Sequence, residues 1–314
     1  MNRSPDQPRV PADPARVGLV FGLLAYGFWG VLPVYFKQLS GVSPLDIVAH
    51  RIVWSLLFLL LLLAVTGSWK QVEAGIRDRR TLGLLAVTSL LIAVNWLLYV
   101  YAVTSGHILA GSLGYYLNPL MNILLGRFIL KERLTGLQWA AVGIAAVGVS
   151  VLAAGAGTTL WISLTLCISF ATYGLLRKVA SVDALAGIAI ETAILFPIAV
   201  GWLALGWGAG RPIMGTGANE AWLLAFAGIV STTPLLLFTA AARRLRYSTL
   251  GMLQFVAPTL QFLLAVLLYA EQFTRAHAIA FGAIWVALAL YVASLVRDFR
   301  AQRKAAAAPE LCEP

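Results

Sequence analysis

Ten mainly apolar runs, most of them about 20 residues long, constrain this chain more than any other feature, because a helix of that length spans the ~30 Å hydrocarbon core of a bilayer. They cover approximately 17–36, 45–66, 81–102, 108–130, 136–153, 159–176, 185–205, 221–240, 248–269 and 275–296. Of the 314 residues 60% are hydrophobic and 11% charged, too few polar groups to cover the surface of a water-soluble globule. Within hydrocarbon the backbone must satisfy its own hydrogen bonds, which leaves helices or closed barrels. A barrel needs alternating strands of about 10 residues, and the unbroken runs contradict that. The sequence therefore predicts an all-α polytopic membrane protein of ten transmembrane helices. Its connections are short except 67–80 and 206–220, so no soluble domain is inserted.

Orientation follows from the basic residues, which cytoplasmic loops retain. With the N-terminus inside, nineteen of the 23 Lys and Arg fall on the inside, three (Lys37, Arg211, Arg275) fall outside, and Arg51 lies within a span. Both termini are then cytoplasmic and the number of spans is even. Residues 1–16 and 298–314 read as disordered cytoplasmic tails around two five-helix halves, 17–156 and 157–297. The polar, Pro-rich N-terminal segment is unlike a signal peptide, so the first run is expected to be a retained span. The net charge of +10 is dispersed over the inside loops rather than gathered in one patch, and no nucleic-acid partner is expected. Cys167 and Cys312 predict no disulfide. His50, His107 and His277 lack neighbours at metal-ligand spacing. No cofactor is expected, and no ATP-binding Gly-x4-Gly-Lys-Ser/Thr loop is present. No nucleophile–base pair or paired carboxylates suggest an enzyme.

The two halves repeat. Pro119, Glu132, Thr135 and Gly143 recur as Pro258, Glu271, Thr274 and Gly282, each displaced by 139 residues. Five spans per half is an odd number, so related halves enter the membrane in opposite directions, giving an inverted five-plus-five repeat. Glu132 lies in a basic inside loop, whereas the only basic residue near Glu271 is Arg275. Such repeats around a central site characterise secondary transporters, whose near-equivalent halves rock to open either side.

Several motifs are familiar. They include Ala25-Tyr26 with Trp29-Gly30, His50-Arg51-x-x-Trp54-Ser55, Asn95-Trp96-Leu97-Leu98, Ser112-Leu113-Gly114-Tyr115 and Asn118-Pro119-Leu120. The second half adds Tyr173-Gly174-Leu175, Glu191-Thr192, Pro234-Leu235-Leu236 and Ser248-Thr249-Leu250-Gly251. Over about residues 16–297 the chain resembles the RarD-type permeases of the EamA family, in the drug/metabolite transporter superfamily, which are named for a chloramphenicol-sensitivity phenotype. The resemblance implies ten helices, an inverted repeat and export or exchange of small metabolites across a bacterial inner membrane. It also allows a homodimer through spans five and ten. Asp46 and Ala110 stand where similar proteins often carry Glu.

Charge within a span is costly and marks function or pairing. Glu191 lies about 9 Å into span seven at ~1.5 Å per residue, with His50 and Arg51 at a similar depth in span two. A 140-residue offset makes Arg51 the counterpart of Glu191. Glu191 and His50 are the ion-coupling candidates, and Arg51 is an anion contact; a structural polar cluster is the other reading. On span four Ser112, Tyr115, Asn118 and Asn122 share one face, and span nine carries Gln254 and Gln261 at corresponding positions. These amides suit a cavity for a polar solute, or else hydrogen bonds between helices. Trp29, Asn95, Trp96 and Tyr99 add an aromatic and amide surface, and Pro119, Pro234 and Pro258 are candidate hinges. The expected function is a secondary exporter of small polar or amphipathic metabolites, amino acids or related compounds first. The alternatives are an exporter of drug-like amphiphiles and a non-transporting sensor. Its expected partners are a small-molecule solute and the lipid bilayer.

Overall fold

A computed structural model describes residues 14–39, 41–104, 108–154, 160–212, 214–268 and 275–307. Each apolar run lies in helix, and every described element is α-helical: α1 (Pro14–Lys37), α2 (Pro44–Thr66), α3 (Trp69–Arg77), α4 (Arg79–Thr104), α5 (Ile108–Phe128), α6 (Gly136–Ala153), α7 (Leu160–Val179), α8 (Ala184–Gly208), α9 (Ala218–Arg244), α10 (Tyr247–Gln254), α11 (Val256–Leu267) and α12 (Arg275–Ala307). Among the described residues, α1, α2, α4, α7, α8, α9 and α12 contain segments long and apolar enough to cross a membrane. Large apolar side chains such as Leu61, Leu90, Leu205 and Ile198 stay exposed on the outside of the bundle, where lipid is the solvent. The interior, by contrast, holds many polar groups, among them Asn95, Asn118, Asn122, Arg177 and Glu191.

Local chemistry sets the helix ends. Pro44 occupies the first turn of α2, where its missing N–H costs nothing, and Gly67 closes the helix in the left-handed conformation at φ 67°. The Asp183 carboxylate accepts the Ala186 N–H at 2.7 Å and caps α8. Thr135 and Gln138 form a reciprocal capping box at the start of α6, with bonds of 3.0 and 3.4 Å. Three features depart from the hydropathy pattern. The 67–80 connection contains helix α3, which seats Gly75 against Val182 and Ile190. The ninth apolar run is divided at Phe255 into α10 and α11, because Pro258 offers no N–H to the Gln254 carbonyl and its ring crowds that turn. Its repeat counterpart, Pro119, sits inside the unbroken α5. The sixth run extends through Val179 and carries Arg177 inward with it.

Helix packing has a regular pattern. Helix α2 packs on α8, α5 on α10, and α6 on α12, each pair joining corresponding helices of the two halves. Six further contacts fall into matched couples: α1 with α9 and α4 with α7; α1 with α11 and α5 with α7; α2 with α9 and α4 with α8. Two of these couples close on glycine. A Cβ at Gly30 would lie 2.7 Å from Leu260 Cβ, and one at Gly114 would lie 2.8 Å from Leu166 Cβ. Gly228 brings α9 onto α2 so closely that a Cβ there would overlap the Trp54 carbonyl carbon and reach within 2.5 Å of the Ser55 nitrogen. Gly228→Val is expected to destabilise the protein by about 1–3 kcal/mol through overpacking. Gly143→Val, which meets nothing within 4 Å, is the matched control. Thermal unfolding in detergent checks this; equal midpoints for the two variants would contradict the tight α2–α9 contact.

Candidate functional site

A small cavity lies among α2, α4, α8 and α9, the helices that cross-pair the two halves. Its volume is ≈ 20 Å³, room for about one water molecule. Arg51 and Ser55 from α2, Trp96 from α4, Glu191 from α8, and Ser231 and Thr232 from α9 supply its chemistry. Thr192, whose hydroxyl donates to the Ile188 carbonyl at 2.7 Å, and the apolar side chains of Ile52, Ile92, Ile188, Leu195 and Leu235 complete the wall.

Arg51 and Glu191 each lie seven residues along their helices, yet they are held very differently. The Arg51 guanidinium lies 3.6 Å from the centre of the Trp96 ring, a cation–π contact, and no carboxylate among the described residues is within 4.0 Å of it. Glu191 is 3% exposed and fully engaged. Thr88 donates its hydroxyl to Oε1 at 2.5 Å and Tyr173 donates to Oε2 at 3.2 Å. Behind it, Arg177 Nε stands 3.5 Å from Oε1, an ion pair too poorly aligned for a hydrogen bond. Arg177 is 0% exposed, and its Nη2 donates to the Asp183 and Ala184 carbonyls at 3.2 and 3.4 Å, at the start of α8. Gly187 makes room for it: a Cβ there would lie 2.6 Å from Arg177 Cζ.

Across the cavity Thr232 donates to Ser55 Oγ at 2.6 Å, and Ser55 donates to the Gly228 carbonyl at 3.3 Å. The Ser231 hydroxyl is buried without a partner among the described residues. This α2–α9 contact therefore leaves one hydroxyl available at the cavity wall.

Of the residues singled out in the sequence, Arg51, Trp96 and Glu191 line this cavity. Trp29 belongs to an aromatic cluster with Tyr26, Phe170 and Phe238, at ring separations of 5.6–5.8 Å. Asn95 ties α4 to α7, donating to the Leu166 carbonyl at 2.9 Å and Ser169 Oγ at 3.0 Å. Tyr115 donates to Asn95 Oδ1 at 3.5 Å and packs edge-on against Tyr99. Asn122 donates to Gln254 Oε1 at 2.8 Å between α5 and α10. Beside it Asn118 is completely buried, and both of its side-chain polar atoms lack a partner among the described residues. Gln261 donates to the Trp29 carbonyl at 3.0 Å. His50 is buried on α2, and Ser112 lies on α5 with its side chain outside the described residues. Pro119 lies against α10, where its carbonyl would be 2.7 Å from a Cβ on Gly251, and Pro234 is buried within α9. Asp46, at the first turn of α2, pairs with Arg211 at 2.9 Å and accepts from Trp202 Nε1 at 2.8 Å.

Arg177, Thr88, Ser231 and Thr232 do not stand out in the sequence, and Ser55 and Tyr173 do so only as members of the motifs His50-Arg51-x-x-Trp54-Ser55 and Tyr173-Gly174-Leu175. For Arg177 a signal exists: an in-span carboxylate calls for a cation. The dibasic Arg177-Lys178 nevertheless reads as a loop, because hydropathy cannot show that one of two adjacent cations folds inward while Lys178 turns to the Ala242 and Leu245 carbonyls.

A helical bundle with exposed apolar flanks and a charged internal cavity defines a multi-pass membrane protein. Residues 16–154 match the EamA-like transporter family. The chain is 42% identical over 309 residues to an uncharacterized transporter of Vibrio cholerae, covering 97% of this chain and all of that one. It is 42% identical over 294 residues to protein RarD of Escherichia coli K12, covering 93% and 99% of the two chains. This protein thus belongs to the EamA-like transporters, within their RarD group. A solved crystal structure covers 88% of this chain and 97% of its own with a TM-score of 0.64, at 20% identity, a likeness of fold alone.

Removing one partner of a buried ion pair strands the other charge, at about 3–5 kcal/mol, whereas removing both is far less harmful. Arg177→Met is expected to show that loss, and Arg177→Met/Glu191→Gln to recover most of it. Denaturant unfolding of the detergent-solubilised protein measures both; a double variant no more stable than the single one would show that the pair contributes nothing.

Proposed function

We propose that this chain is a secondary transporter of a bacterial inner membrane, with both termini in the cytoplasm, exporting small polar or amphipathic metabolites. Amino acids and related compounds are the first candidates. Transport proceeds by alternating access of two inverted five-helix repeats, 17–156 and 157–297. The observation that carries this reading is the cavity bounded by α2 and α4 of one half and α8 and α9 of the other. Matched contact couples that survive exchange of the halves support the repeat, and repeats of this kind rock about a central site. The ≈ 20 Å³ cavity then belongs to a closed conformation, and a solute enters when the halves separate. Asn118, buried between α5 and α10 with polar atoms that lack partners among the described residues, would gain partners in the opened form, with Pro119, Pro234 and Pro258 absorbing the bend.

The second reading, export of drug-like amphiphiles, is favoured by one feature: the largely buried Tyr26–Trp29–Phe170–Phe238 cluster, whose rings would suit flat apolar solutes once the halves separate. Metabolite profiling of the medium around producing cells separates the two. The control is Asn118→Leu/Asn122→Leu with membrane insertion verified. Enrichment of a few polar metabolites by the unmodified protein alone is expected. No difference from the control, together with drug resistance conferred by the unmodified protein, would favour the second reading instead.

Energy input is assigned to a proton exchanged at Glu191 or His50 as access alternates. Glu191→Gln or His50→Gln is accordingly expected to abolish accumulation driven by a pH gradient while leaving solute exchange intact. Gradient-driven uptake into proteoliposomes measures this, and full accumulation by both variants would remove proton coupling from these residues.

A further inference from the structure

We propose that the cavity selects a solute with one net negative charge, a small monocarboxylate, with Arg51 as the selecting residue. This rests on the transport reading and narrows its substrate class from zwitterionic to monoanionic compounds. The argument is a charge count inside a low-dielectric site. Three ionisable groups meet there: Arg51 and Glu191 in the cavity wall, and Arg177 directly behind Glu191. Glu191 is already answered by Arg177 and by the Thr88 and Tyr173 hydroxyls. With Glu191 held as a carboxylate by these partners, one positive charge remains among the three groups, on Arg51.

A guanidinium does not shed its proton in a protein, so its charge cannot be removed by titration. Trp96 covers one face of it and leaves its edge N–H groups as the donors suited to an incoming anion. A carboxylate can take two parallel N–H bonds from that edge and brings the cavity to neutrality. An added zwitterion leaves the unit charge uncancelled, and its ammonium group finds Glu191 occupied. A cation meets Arg51 directly. The rest of the wall fits the remainder of such a solute. The Ser231 hydroxyl lacks a partner among the described residues and can bond a keto, hydroxyl or acylamide oxygen. Ile52, Ile92, Ile188 and Leu235 accept a hydrocarbon body. The chemical class is therefore 2-oxo, 2-hydroxy or N-acyl acids, compounds related to amino acids but lacking the free ammonium.

The test uses the purified full-length protein in lipid nanodiscs and four matched probes: N-acetylphenylalanine, phenylalanine, phenylalanine amide and N-acetylphenylalanine amide. The valine series repeats the set at smaller size. Calorimetric titration is expected to show the N-acetyl acid binding at least tenfold tighter than its zwitterionic, cationic and neutral analogues. Arg51→Gln removes that preference, and Arg51→Lys, which keeps the charge without the fork, retains part of it. Arg77→Gln, which removes an exposed cation on α3 outside the cavity, keeps the monoanion affinity within threefold. Equal or tighter binding of the zwitterion, no binding by any probe in either series, or loss of the preference in Arg77→Gln as well would each overturn the proposal. Counterflow of the same probes in proteoliposomes distinguishes the two levels of inference. Monoanion binding without flux sinks the transporter reading and keeps the charge assignment, whereas flux of the zwitterion alone does the reverse.

Discussion

An ionised side chain in hydrocarbon must find its counter-charge inside the protein, and the Arg177–Glu191 pair organises much of the second half of this bundle. Arg177 reaches Glu191 because Gly187 offers a bare backbone to lie across, and the Asp183 and Ala184 carbonyls at the start of α8 accept from its Nη2. The pair draws in Tyr173 from α7 and Thr88 from α4. Three helices are thereby registered against one carboxylate. Buried pairs of this kind contribute modestly to net stability, since desolvation offsets most of the attraction, but losing one partner is severe. Their effect is to specify one arrangement of the helices.

The matching position in the first half carries the opposite sign and no such pairing. Arg51 rests on Trp96, an arrangement in which the ring face offsets part of the cost of burying a cation. Related halves therefore contribute unlike charges to one cavity: a neutralised carboxylate on α8 and a cation on α2 open to a ligand. Near-symmetry of helix packing and asymmetry of charge thus meet at one cavity.

The two repeat prolines show how equal sequence yields unequal structure. Pro119 and Pro258 occupy corresponding positions, yet α5 runs through the first and the helix divides ahead of the second. Proline removes one hydrogen bond in each case. Whether the helix bends or breaks is then decided by its neighbours. Helix α10 is anchored at its start by Glu132, which accepts the Tyr247 and Ser248 N–H groups at 2.5 and 3.0 Å and the Ser248 hydroxyl at 2.6 Å. It is pressed against α5 at Gly251 along its length. With both restraints in place the disruption falls at Phe255.

Hydropathy, charge distribution and repeat spacing by themselves determined the class, the positions of the apolar helices and the presence of charge within them, since each is a property of segments about 20 residues long. Arg51, Trp96 and Glu191 were legible as candidates because polar or aromatic groups inside such segments are conspicuous. Tertiary structure alone decided their roles. It placed Asn95 and Asn122 in hydrogen bonds between helices, with Leu166, Ser169 and Gln254. It turned Arg177 inward from what reads as a loop and brought Ser55, Ser231 and Thr232 to the cavity. It also converted part of the 67–80 connection into helix α3. The reason is physical: a helix presents side chains all around its axis, and only the neighbours packed against it determine which face meets lipid, another helix or a cavity.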